Sequence, residues 1–312
     1  MRVALLALAL AILLPLPAEC QSLKEITYLS SADSSQQPAM FYAPDTKQAV
    51  PLVVALHTWS GDYKQDFHKA IADWCMKNGW AYIHPNFRGP NVRPEATCSE
   101  LVVKDILSAV EYAKTAAKID TAAVYLVGTS GGGYASLVMA GRHPEAWTAV
   151  SAWVPISDLK AWYFESQKAN HDNYVRGIVS SCGGKPGDSA TVDEQYRKRS
   201  PLTYLANAKG LNLSINAGIG DNDVPVTHSL NAFNAVADPK DRLAEDDVRA
   251  FGEKKTVPPY LKTAVSDPTY GQRRPLFRRT SGNVTVTIFQ GSHELIPEAA
   301  MAWFQKLHDE KK

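Results

Sequence analysis

Residues 124–133 read VYLVGTSGGG: an apolar run that stops in Gly128-Thr129-Ser130-Gly131-Gly132. A serine among glycines fits a flexible linker, or a tight turn that raises its hydroxyl above a sheet. The flanks decide between them. Upstream, AVYLVG is short, apolar and rich in β-branched and aromatic side chains, the pattern of a strand buried on both faces. Downstream, YASLVMAGRHP is helix-compatible, with Ala135, Val138 and Met139 on one side and Gly141 and Pro144 as stop signals. Strand, Gly-x-Ser-x-Gly turn and helix together form the context of a nucleophile elbow, and Gly128 and Gly132 remove β-carbons that so sharp a turn would not admit.

A serine hydroxyl is a weak nucleophile at neutral pH. It needs a base to take its proton and a carboxylate to hold that base in the right tautomer. In a parallel sheet with such an elbow, the acid and then the histidine follow on loops after later strands. LNLSINAG reads as one such strand, and the IGDNDVP behind it offers Asp221 and Asp223. NVTVTIFQ reads as the last strand, followed by GSHEL and His293. His228 opens a helix and His308 lies on the terminal one, so His293 is the candidate base. The two aspartates stay open on chemistry alone. A developing oxyanion needs two donors. The first is the N–H of Gly131; the second belongs to the loop His57-Thr58-Trp59-Ser60-Gly61, with the Trp59 N–H preferred over Thr58. The Trp59 ring then lines the pocket, unless it is spent on core packing. The chemistry calls for no metal or cofactor.

The rest of the chain keeps the same rhythm. EITYLS and AMFYAP read as edge strands, and PLVVALH (51–57) and WAYIHP as buried ones. Helices fall at 66–79, at 99–118 with Ser99 as cap, within 158–206, at 227–236 and at 297–308. Strands alternating with helices mean an α/β architecture, a mainly parallel twisted sheet with helices on both faces. The stretch 237–281 breaks the rhythm. It is polar and proline-rich, with Arg273, Arg274, Arg278 and Arg279, and reads as a substrate-facing insertion or a solvated surface excursion. Trp153, Trp162, Tyr163 and Phe164 read as core in preference to a surface that stacks on sugar rings, and Arg88 and Arg93 as ion-paired or surface groups in preference to holders of a substrate carboxylate.

At 312 residues and 45% hydrophobic content the chain can bury one large domain. A formal charge of +1 gives no field for nucleic acid or an anionic membrane. Residues 1–20, with Arg2 and an apolar stretch from Val3 to Leu14, read as a secretory signal peptide too short for a membrane span. The mature part, 21–312, is expected to be secreted or periplasmic, without stable membrane insertion. Export permits disulfides. Cys75 reads as a buried thiol on a helix, whereas Cys98 and Cys182 sit in loop-like segments and are expected to pair. The cysteine spacing does not suggest zinc.

Four segments, GTSGGG, PNFRG, GDNDVP and FQGSHEL, carry a resemblance to the catalytic domain of the prolyl oligopeptidase (S9) family of the α/β-hydrolase superfamily, over roughly 38–308. The resemblance implies the α/β-hydrolase fold. Its G-x-x-D-x-x-V-P pattern, met by Gly218, Asp221, Val224 and Pro225, picks Asp221 as the acid. Two positions depart from it: Thr58 stands where related hydrolases often carry glycine, and Trp59 lies near where prolyl oligopeptidases use a tyrosine hydroxyl. Peptidases of the family usually add a β-propeller, for which 312 residues leave no room, so an open pocket is expected. On that ground the sequence reading favours an exported ester hydrolase acting on acylated carbohydrate or small esters. An S9-type peptidase is the alternative and a non-catalytic binding domain a third. Open clefts suit polymers and closed pockets small esters.

Overall fold

The computed structural model describes residues 22–262 and 265–311; the proposed leader and Cys20 lie outside them. The sheet is built outward from β5 (Ile119–Thr129), the strand that ends in the elbow. Its side chains alternate between two packed layers. Val124 and Leu126 face one with α2 (Glu100–Ala116) and α3 (Gly131–Arg142); Tyr125 and Val127 face the other with α1 (Lys69–Asn78) and α9 (Pro297–Asp309). Period-two alternation on a strand buried from both sides puts an apolar residue at every position.

Among the described residues nine strands form one sheet in the order β1-β2-β4-β3-β5-β6-β7-β9-β8. The parallel body comprises β3 (Val50–Leu56), β4 (Ala81–Pro85), β5, β6 (Ala149–Trp153), β7 (Asn212–Gly218) and β9 (Val284–Phe289). The flanks, β1 (Lys24–Leu29), β2 (Gln36–Tyr42) and β8 (Pro275–Ser281), run antiparallel. This is the α/β-hydrolase arrangement, mostly parallel with helices on both faces. Only β1 of the first pair is an edge; β2 lies between β1 and β4.

Local signals explain the helix ends. The Ser99 hydroxyl accepts from the Val102 N–H at 3.3 Å and caps α2. Asp158 caps α4 (Leu159–Lys168), accepting from the N–H groups of Lys160 and Ala161. On α9, Ala300, Met301 and Phe304 are fully buried, each large one contributing about 2 kcal/mol relative to exposure. Among the described residues no helix is long and apolar enough to cross a membrane.

The stretch 237–281 holds α8 (Glu245–Lys254) and supplies β8, the far edge of the sheet. Arg278 pairs with Asp267 at 2.8 Å and lies over the Tyr270 ring, and Arg279 lies over Phe277. Part of this segment is therefore framework rather than excursion. Between β6 and β7 come α4, α5 (Asp172–Cys182) and α6 (Ala190–Arg199).

The expected Cys98–Cys182 bridge is corrected: both are free, buried thiols, as is Cys75. Hydroxyls join the two segments instead, Thr97 Oγ1 lying 2.7 Å from Ser181 Oγ. Tyr134 and Arg199 complete this buried corner: Arg199 donates to the carbonyls of Pro94, Ala96 and Thr97, and the Tyr134 hydroxyl to the Arg199 carbonyl. Burial pushes the Cys98 and Cys182 thiols up to about 12, which keeps them protonated and unreactive.

Candidate active site

Ser130 sits between β5 and α3 with φ 57° and ψ −118°, a region that costs a non-glycine residue on the order of 1–3 kcal/mol. The surroundings hold it there. Its N–H donates to the Trp153 carbonyl at 2.9 Å, and its carbonyl accepts from the Tyr134 N–H at 2.7 Å. A β-carbon on Gly132 would stand 2.0 Å from the Leu56 carbonyl oxygen, and one on Gly131 2.4 Å from the Trp59 nitrogen. These glycines let α3 start directly against the end of β3, which brings the Gly131 and Trp59 backbones together beside the serine.

The Thr58 N–H is spent on Gln65 Oε1 at 3.0 Å, and its hydroxyl accepts from Gln65 Nε2 at 2.8 Å. Of the two donors considered in this loop, Trp59 is thus the one at the turn. Its ring corrects the pocket-lining expectation: it is 2% exposed and packs edge-on against Trp162, with centroids 4.7 Å apart. Trp153, Trp162 and Tyr163 are core, as read from the sequence, but Phe164 is corrected: it is half exposed, on the solvent side of α4. Arg88 is tied to Asp33 and Asp105, and Arg93 donates to the Arg88 carbonyl.

Asp221 follows β7 and His293 follows β9. The Ile219 and Gly220 N–H groups donate to the carbonyls of Phe289 and Gly291, so the two loops travel together. His293 Nδ1 lies 2.8 Å from Asp221 Oδ2. With the imidazole neutral, a carboxylate facing Nδ1 selects the tautomer in which Nδ1 carries the proton and Nε2 keeps its lone pair. The Asp221 side chain is fully buried, and its other oxygen accepts from the N–H groups of Asp223 and Val224 at 2.8 and 3.0 Å. Geometry separates the two aspartates: Asp221 holds the histidine, and the half-exposed Asp223 stands beside the pair.

Sequence reasoning missed the opposite wall. Donor atoms of Asp221, Asp223 and His293 lie within 4.8 Å of one another, and His171 Nδ1, just before α5, lies 4.0 Å from Asp223 Oδ1. Tyr174 is raised above its usual range, first by burial and then by the charges of Asp223 and Asp221. No local motif marks His171 or Tyr174; only the packing of α4 and α5 brings them here. That acidic set could offer atoms to a cation; both Asp221 oxygens also accept hydrogen bonds, Oδ2 facing His293 and Oδ1 taking the Asp223 and Val224 N–H groups. Glu294, next in the chain, is held below its usual range: burial pushes it up, but bonds from the Ser292 N–H and the Arg273 guanidinium outweigh that.

Behind the Thr58–Gln65 loop lies a buried histidine cluster. His57 stacks on Phe87 at 3.8 Å between centroids, and the His68 and His84 rings meet edge-on at 5.3 Å. Neither nitrogen of His68 has a hydrogen-bond partner among the described residues. Burial, with a smaller push from His57, pulls His68 down to about 3.

Comparison with known proteins gives a consistent pattern. The model of the prolyl oligopeptidase family (peptidase S9) matches residues 65–247. The acylamino-acid-releasing enzyme of Rattus norvegicus is 25% identical over 206 residues, 62% of this chain and 27% of that protein. The acylaminoacyl peptidase of Pyrococcus horikoshii shares the fold with TM-score 0.62 at 17% identity, covering 93% of this chain and 41% of its own. A puromycin-hydrolyzing peptidase of Mycobacterium tuberculosis does so with TM-score 0.59 at 16% identity, covering 95% and 40%. The chain thus spans less than half the length of each.

Proposed function

The chain belongs to the prolyl oligopeptidase family, and from that premise we propose that it is a serine peptidase whose nucleophile is Ser130. The observation that carries the reading is the Asp221–His293 hydrogen bond of 2.8 Å, across the strand ends from a positive-φ serine. His293 Nε2 takes the Ser130 proton as Oγ attacks the amide carbonyl. Asp221 stabilises the imidazolium that forms. The anion on the former carbonyl oxygen is met by the N–H groups of Gly131 and Trp59. Collapse breaks the C–N bond, and His293 gives its proton to the leaving amine. Water then repeats the sequence on the acyl-enzyme, with His293 again as base.

The ester preference drawn from the sequence rested on the expectation of an open pocket. The matching family model and both solved structures carry the name peptidase, which supports amide cleavage over ester cleavage here. Export remains part of the proposal and rests on the apolar leader alone. The test is a panel of peptide anilides beside p-nitrophenyl acetate and acetylated xylan, run on the wild type and Ser130→Ala. Anilide cleavage that falls by about 10⁴-fold or more in the variant is expected. Ester turnover with every anilide silent would return the assignment to an esterase, and activity surviving Ser130→Ala would remove the nucleophile.

A further inference from the structure

A second charged feature opens beside the proposed site. A cavity of about 480 Å³ lies between the end of α8 and the start of β8, lined by Lys255, Lys262 and Arg274 with apolar walls from Val257 and Leu276. All three cations are exposed. None has a carboxylate partner among the described residues: Lys255 donates to the Asn222 side chain and Arg274 Nε to Gln290 Oε1 at 3.0 Å. Among the described residues no acidic side chain lines the cavity. Like charges gathered on one concave surface repel, focus the local field, and are relieved by a bound anion.

Both contacts tie this groove to the reacting loops. Asn222 follows Asp221 directly. Gln290 precedes His293 by three residues, a span of at most about 10 Å even when extended. The Gln290 N–H also donates to the Arg274 carbonyl at 2.9 Å, so the groove wall and the histidine loop are one hydrogen-bonded unit. The neighbouring Arg273 is already matched by Glu294 at 2.8 Å, which leaves the three groove cations as the unmatched ones.

We propose that this groove binds a carboxylate of the substrate within about three residues of the scissile bond, since an extended chain covers about 3.3 Å per residue. The inference rests on the peptidase reading of the site. The carboxylate is either the peptide's own carboxyl terminus or an acidic side chain, and the apolar walls accommodate the stem that carries it.

The experiment measures binding by calorimetry on Ser130→Ala, where nothing is turned over. Four tetrapeptides are compared: one with a free carboxyl terminus, its carboxamide, and a carboxamide pair differing only as internal Glu or Gln. A charged peptide should bind about fivefold more tightly than its neutral match, as for a partly exposed ion pair. The free-acid and Glu arms tell the two sources apart. Lys255→Gln with Lys262→Gln, both at exposed positions, should abolish the difference, and Arg274→Gln should reduce it independently. Equal affinity within both pairs, binding by none of the peptides, or a preference that survives the variants would overturn the groove. Cleavage by the wild type is read in parallel. Peptides that bind with the expected preference but stay intact break the peptidase reading and leave the groove standing; cleavage with no preference does the reverse.

Discussion

The ends of the central strands and the stretch 237–281 are held by different kinds of contact. Around Ser130 backbone meets backbone: Gly132 against the Leu56 carbonyl, Gly131 against the Trp59 nitrogen. In 237–281 side chains do the holding: Arg278 on Asp267 and Tyr270, the Ser281 hydroxyl on Asp241. Backbone contacts leave no room for adjustment, since a carbonyl cannot swing aside as a lysine does. Side-chain contacts are redundant and partly solvated. The first region should therefore be brittle to single atoms and the second tolerant of whole side chains.

The largest expected effect lies at the strand ends. Asp221→Asn removes the charge facing the imidazolium and allows the wrong tautomer, and should lower kcat by about 10⁴-fold. Asp223→Asn, two residues on, should lower it by less than about tenfold, because Asp223 makes no direct bond to His293. Steady-state kinetics on the pair checks this, and equal losses would show that the carboxylates act as one unit.

The histidine cluster behind the Thr58–Gln65 loop gives the next effect. His68 is pulled from its usual 6.5 to about 3, so below pH 6.5 the unfolded chain binds a proton that the folded one refuses. Stability is full above about 6.5 and is lost as pH falls toward 3, at about 1.4 kcal/mol per pH unit for this group. Denaturant unfolding from pH 7 to 4 should show the slope, and His68→Leu should flatten it by that amount. An unchanged slope would place the acid sensitivity elsewhere.

Gly132→Ala should cost about 3 kcal/mol or more, beyond ordinary overpacking, because the clash is with backbone. Arg278→Ala should cost about 1 kcal/mol from one partly exposed pair and one ring contact. Tyr260→Ala, at a largely exposed position, should stay within about 0.5 kcal/mol. Thermal or denaturant melts rank the three, and a reversal of the first two would break the contrast between the regions.

Much of this was legible in the chain because it is written locally. A strand buried on both faces is apolar along its buried run, so β3 and the Val124–Val127 part of β5 announce themselves, and β9 does so by β-branched residues throughout Val284–Ile288. Close backbone approach demands glycine, so the elbow does too. β8 and α8 were not legible. β8 carries Arg278 and Arg279 on an edge, and α8 buries only Val248 and Phe251, too few for a helical period to stand out. The cysteines misled because loop-like spacing says nothing of whether two sulfurs face each other.

By itself, the sequence determined the α/β class, the family, and the positions from which Ser130, Asp221 and His293 project, since strand ends and glycine turns depend on neighbours a few residues away. The resemblance already picked Asp221 over Asp223, but only the tertiary structure shows its contact with His293. It also put Trp59 in the core and His171 and Tyr174 opposite the acid loop, and left Cys98 and Cys182 as free thiols. Each of those depends on contacts between segments far apart in the chain, and directions in space are not encoded in spacing along it.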